Sequence, residues 1–184
     1  MRIEYQHDIM ILVMCHPKPE LTDDQKKWLY RFAPRGRIKI ICNPKVDRDT
    51  MFNQALKDIM ENPNTFSKVM IIHDDVEFID KESEKIFEAP YDITGCYYAD
   101  SPYPWNNETE WHSGMVIIKT HVIESFLYDR EPFFHTISHK RDGRDVLVYD
   151  HCRSIARRAA AKGYTMGNVG ECNHLGRQRW MDGM

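Results

Sequence analysis

The chain has 184 residues, 42% of them hydrophobic and 29% charged, which suits one soluble domain with a buried core. Its formal net charge of -3 argues against the general basic character of a nucleic-acid-binding domain. Five scattered cysteines without CxxC spacing argue against a disulfide scaffold and for a reducing, cytoplasmic setting.

Ile9 to Cys15 is the first apolar run and predicts a strand. It is too short to span a membrane. Thr22 then stands as a helix N-cap, with Gln25 at the capping-box position. Trp28, Leu29 and Phe32 give that helix an apolar stripe, and Pro34 ends it. Arg37 to Cys42 predicts a second strand. Thr50 is placed to cap a second helix, with Phe52, Ala55, Leu56, Ile59 and Met60 on its core face and Asn62-Pro63 as its stop. Lys68 to His73 predicts a third strand. This β-α-β-α-β order implies a parallel sheet with helices on its faces.

After residue 80 the pattern changes. Asp92 to Ala99 and Met115 to Thr120 read as strands, separated by an aromatic-rich loop from Asp100 to His112. His121 to Leu127 predicts a short helix. A longer helix begins near Asp150 and ends at Gly163, a residue suited to a helix C-terminus. Tyr164 to Val169 predicts the last strand. Basic residues cluster at His139 to Arg144 and Arg153 to Arg158; they could face phosphates, but the default reading is a solvated helix face. No repeat or linker divides the chain, so a single domain is expected.

The most informative stretch is Val69 to Phe78, where an apolar strand stops abruptly at His73, Asp74 and Asp75. Carboxylates at a buried strand end need compensation from a cation, solvent or backbone N–H groups. Magnesium-type sites use one or two carboxylates and let substrate phosphates complete the shell. The pattern points to metal-phosphate chemistry, with a simple capped turn as the bland alternative.

In open α/β sheets, ligands bind beyond the carboxyl ends of the strands. His16, Asn43 and Asp47 follow such ends and are candidates to contact a nucleotide base and ribose, as is Asn53 near the start of the second helix. Trp105, Trp111 and His112 either anchor the core or offer flat faces to a sugar or acceptor. Asp150 suits a helix N-cap.

Four segments in this order resemble the motif series of the GT-A fold glycosyltransferases. They are His73-Asp-Asp-Val-Glu-Phe78, Trp111-His-Ser-Gly-Met-Val-Ile-Ile-Lys119, Val148-Tyr-Asp-His-Cys-Arg153 running to Ala161-Lys-Gly-Tyr164, and Cys172-Asn-His174. The form is most similar to small glycosyltransferase-like domains of the streptomycin-cluster type. The resemblance spans roughly residues 8 to 176.

It implies a single-domain GT-A fold: a Rossmann-like, mostly parallel sheet flanked by helices, with a smaller antiparallel acceptor-side portion. Residues from about 8 to 80 would be the nucleotide-binding half, and those from about 81 to 176 the acceptor and catalytic half. It implies that Asp75 and His174 hold Mn2+ or Mg2+. His73, Asp74 and Gly114 would lie along the nucleotide-sugar donor, a UDP-sugar. Asp150 would be the base that takes the proton of a glycan or other hydroxyl acceptor. The activity implied is hexosyl transfer with inversion.

Two residues depart from the family pattern. His73 replaces the first acidic residue of the DxD region, which leaves the metal mainly to Asp75. Tyr149-Asp150 replaces the usual Glu-Asp pair, so Asp145 competes as the base. Two rival readings are a metal-dependent phosphohydrolase built on Asp74 and Asp75, and a non-catalytic nucleotide-binding domain.

Overall fold

Six apolar residues in a row let Ile9–Met14 (β1) be buried on both faces, as parallel strands are. The computed structural model describes residues 8–14, 21–41, 48–61, 66–99, 114–134, 137–141, 144–148 and 151–174. In it β1 lies inside a seven-stranded sheet. The chain continues through helix α1 (Asp23–Phe32), strand β2 (Ile38–Ile41), helix α2 (Arg48–Glu61) and strand β3 (Lys68–His73). β1 pairs in parallel with both β2 and β3, as the alternating pattern predicts.

The remaining elements are β4 (Val76–Phe78), α3 (Asp80–Glu84), β5 (Ile93–Tyr98), β6 (Met115–Lys119), α4 (Thr120–Tyr128), β7 (Ile137–Arg141), β8 (Arg144–Val148), α5 (His151–Ala161) and β9 (Met166–His174). The sheet order is β2-β1-β3-β6-β5-β9-β4, while β7 and β8 form a separate antiparallel pair. The sheet is mixed rather than mostly parallel. β6 runs antiparallel to both β3 and β5, and β4 runs antiparallel to β9. The reason lies in the connection. β5 ends and β6 begins at the same edge of the sheet, so the two neighbouring strands run in opposite directions.

The helices cover both faces of the sheet. Leu12, Val69, Ile71, Val116 and Ile118 point to one side, where they meet Phe52 and Leu56 of α2, Val122 and Phe126 of α4, and Ile155 of α5. Ile11, Val13, Met70, Ile72 and Ile117 point to the other, against Trp28, Leu29 and Phe32 of α1 and Phe87. Each such fully buried side chain contributes about 1.5–3 kcal/mol. Cys96 and Cys172 are free thiols buried in this second cluster. Hydrogen bonding to Cys172, together with burial, pushes the Cys96 thiol up, so this thiol is inert core.

Two of the expected helix ends are present. Gln25 N donates to Thr22 Oγ1 at 3.1 Å and Thr22 N donates to Gln25 Oε1 at 2.9 Å, a complete capping box. After α5, Gly163 takes φ 83°, Gly163 N donates to Ala160 O, and Tyr164 N donates to Ala159 O. That is a Schellman ending, which only a residue at ease with positive φ allows cheaply. α2 begins at Arg48, two residues before Thr50, the cap expected from sequence.

Candidate functional site

Met14, Ile41 and His73 end three adjacent parallel strands at one edge of the sheet. Tyr98 ends β5 and His174 ends β9 at the same edge, where Gly114 leads into β6. Every strand that enters the site in this α/β sheet thus delivers its terminus to one place, where α/β folds bind ligands.

The acidic turn at the end of β3 is fixed through its backbone. His73 N donates to Gly114 O at 2.9 Å, and Asp74 N donates to Met14 O at 2.8 Å. Gly114 N in turn donates to the Tyr98 hydroxyl at 2.9 Å. Gln25, buried within α1, places both amide hydrogens on the turn. Its Nε2 donates to Asp74 O and to Val76 O, each at 2.8 Å. Trp28, one turn along α1, stacks on Phe78 with ring centroids 3.6 Å apart and planes 6° apart. α1 therefore grips residues 74–78 at two points.

Within the turn, His73 is buried, and its Nδ1 lies 4.0 Å from Asp75 Oδ1. Asp75 Oδ1 is shut off from solvent, yet the side chain as a whole keeps 32% exposure. One carboxylate oxygen thus faces the protein while the side chain still reaches the surface.

β9 brings the end of the chain to the same turn. Phe78 pairs with Cys172, Glu77 with Asn173, and Val76 with His174. The backbone register lays His174 across from Val76, one residue beyond Asp75. Directly opposed antiparallel residues have Cα atoms about 4.5–5.5 Å apart. A β-bulge aims β9 there. Between Gly95 and Tyr97 on β5, β9 advances from Asn168 to Glu171, one residue more than its partner. Gly170 lies in this bulge at φ 66°, and a Cβ there would sit 2.0 Å from Glu82 O. Only glycine fits. Ser83 Oγ locks the same stretch by donating to Glu171 O at 2.6 Å.

The structure brings together His73, Asp74, Asp75 and Gly114, and the His174 backbone. Asn53 is elsewhere occupied. Its Nδ2 donates to Phe134 O and its Oδ1 accepts from Phe134 N, both at 2.8 Å. Asp145 lies on β8 opposite Lys140. His16, Asn43, Asp47, Trp105, Trp111, His112 and Asp150 fall outside the described residues. Asp150 immediately precedes α5 in the chain.

Among the described residues, no three His, Cys, Asp or Glu side chains form a group that holds a metal ion by themselves. An oxygen donor from Asp75 beside a histidine position fits a hard divalent cation whose shell a substrate completes.

Sequence reading assigned Gln25 to the helix cap alone and did not single out Tyr98, Ser83 or Gly170. The capping-box spacing marks Gln25, but its reach to Asp74 and Val76 arises only when α1 packs on the sheet.

No protein-family model and no curated protein matches the chain. Solved structures similar to it include the following two. The A197 protein from STIV is 12% identical, with 89% of this chain and 82% of that one covered and a TM-score of 0.51. The inositol-1-phosphate CTP transferase from T. maritima is 13% identical, with 89% and 66% covered and a TM-score of 0.44. The first shares the fold, at an identity too low to transfer an activity. The second overlaps less well, and this chain spans 66% of its length. Among the described residues no helix is long and apolar enough to cross a membrane.

Proposed function

We propose that the chain is a single-domain, metal-dependent glycosyltransferase of GT-A type that moves a sugar from a UDP-sugar to an acceptor hydroxyl with inversion. The observation that supports this reading is the β4–β9 register, which pairs the backbone of His174 with Val76, the residue after Asp75, across about 100 residues of chain. Two chain positions singled out from the motif order thereby lie at the same end of the sheet.

In this reading Asp75 and His174 hold Mn2+ or Mg2+. When bound, the cation neutralises charge developing on the diphosphate leaving group. His16, Asn43, Asp47, His73, Asp74 and Gly114 line the donor. Trp105, Trp111 and His112 face the sugar or acceptor. Asp150 takes the proton from the acceptor hydroxyl, with Asp145 as its substitute. The freed oxygen attacks the anomeric carbon opposite the diphosphate. The sugar–phosphate bond breaks, and the nucleoside diphosphate leaves with the electron pair.

A thermal-shift panel of nucleotide sugars, with and without Mn2+, tests the reading. A ligand that binds only the folded state stabilises it by about 2.7 kcal/mol at a hundred times its Kd. UDP-sugars should raise the melting temperature, and more so with Mn2+. No shift with any nucleotide sugar, or phosphate release from a phosphoester without acceptor, would sink the proposal. Binding without transfer to any acceptor would favour a non-catalytic role.

A further inference from the structure

Gln25 is buried in α1, and every polar atom of its side chain is engaged. Its oxygen completes the helix cap. Its two amide hydrogens go to the carbonyls of Asp74 and Val76, on either side of Asp75. A helix cap needs only the oxygen, and glutamate serves there as well as glutamine. The amide group is therefore explained by the turn, not by the helix.

The two carbonyls belong to peptide planes that flank Asp75 and Val76. Fixing both planes fixes the direction in which the Asp75 side chain leaves the backbone. It also fixes Val76, the residue that pairs with His174. We infer that Gln25 is a positioning residue for the divalent-cation site, setting the aim of Asp75 and the Val76–His174 pairing together. This rests on the metal reading given above.

Gln25→Glu tests it. The carboxylate keeps the capping oxygen and the chain length but loses both donors. Gln25→Met, of similar shape and with no donors, serves if the buried charge of the first variant prevents folding. Mn2+ uptake is followed from the loss of the free-ion electron paramagnetic resonance signal, without nucleotide. Circular dichroism gives the fold, and amide exchange reports the 74–78 segment.

The expected result is a folded variant whose Mn2+ affinity falls about tenfold or more, with faster exchange confined to residues 74–78 and their β9 partners. Thr22→Ala, which removes the cap but not the donors, should leave Mn2+ affinity within about twofold. Folded Gln25 variants that take up Mn2+ as tightly as the unaltered protein would overturn the inference alone. An unaltered protein that takes up no Mn2+ at millimolar levels, either alone or in a second titration with UDP present, would overturn both the inference and the metal reading beneath it. Equal losses in Thr22→Ala and the Gln25 variants would assign the effect to the helix and overturn the inference.

Discussion

The two ends of the sheet each carry an acidic residue next to a strand, and the fold treats them in opposite ways. At one end Asp92, just before β5, is held through its carboxylate. Thr165 N and Oγ1 donate to Asp92 Oδ2 at 2.9 and 2.8 Å, and Lys119 Nζ donates to Oδ1 at 3.0 Å. Burial pushes this carboxyl up, but the bonds from Thr165 and Lys119 and the lysine charge outweigh it and hold the group at about 2. At the other end the turn at Asp74 and Asp75 is held through its main chain, by Gln25, Met14 and Gly114. A carboxylate spent on the fold is a clamp. In the proposed reading, a carboxylate carried on a braced backbone is presented to a ligand.

The sharpest break of this comparison is Asp75→Asn. The side chain keeps its size, and the backbone bonds that hold the turn do not involve it. Transfer from a UDP-sugar should fall by roughly 10²-fold or more, the scale of losing a main electrostatic contact in the transition state. Melting should stay within about 2 °C of the parent, under about 1 kcal/mol for a domain of this size. Product formation and a melting curve from the same preparation check both halves. A large melting drop would make Asp75 a clamp like Asp92.

Gly170→Ala comes next, because β9 links the two ends. It starts beside Ile93 near Asp92 and finishes beside Val76. The new methyl meets Glu82 O and the positive φ resists a side chain, so the expected cost is roughly 2–4 kcal/mol. Amide exchange should rise at residues 171–174 and 76–78 and stay slow at 93–95 and 166–168, which pair before the bulge. Equal loosening at both ends would show that β9 answers as one unit.

Asp92→Asn should cost about 1–2 kcal/mol, the shift of its carboxyl discounted for partial exposure. Its pKa is lowered in the folded state, so its stabilisation is fully present above the ordinary value of 3.8 and disappears as pH falls towards about 2. Denaturant melts of parent and variant should differ at pH 6 and converge across that window. Mn2+ uptake at pH 7 should be unchanged, since the clamp lies at the far end.

How much of this was legible in the sequence follows from range. β1, α1, β2, α2 and β3 announce themselves locally, by unbroken apolar runs, a capping box and helical stripes. The acidic strand end was legible for the same reason. β4 was not. Three residues, Val76 to Phe78, carry no periodicity, and their partner lies on β9 about 100 residues later. The antiparallel run of β6 depends on which edge the chain turns at, which composition does not encode. β7 and β8 hid behind the charge of Lys140, Arg141 and Arg144, although Asp142-Gly143 between them is a hairpin signal. The second role of Gln25 needed the packed helix.

The smallest expected effect concerns Asn53, a nucleotide candidate whose side-chain partners are visible. Its position near the start of α2 suited a ligand contact, but its amide grips Phe134 at both N and O, as a neighbouring strand would. Phe134 packs in the core beside Phe52 and Phe133. The bonds therefore tie the 133–134 segment to α2 and extend the clamp principle seen at Asp92. Asn53→Ala removes two partly buried bonds and leaves Phe134 N and O to find water. That should cost about 1 kcal/mol, the low end for two such bonds where solvent can enter. UDP affinity measured by calorimetry should be unchanged. A fall in affinity with an unaltered melting temperature would return Asn53 to the donor site and place α2 on the side of presentation.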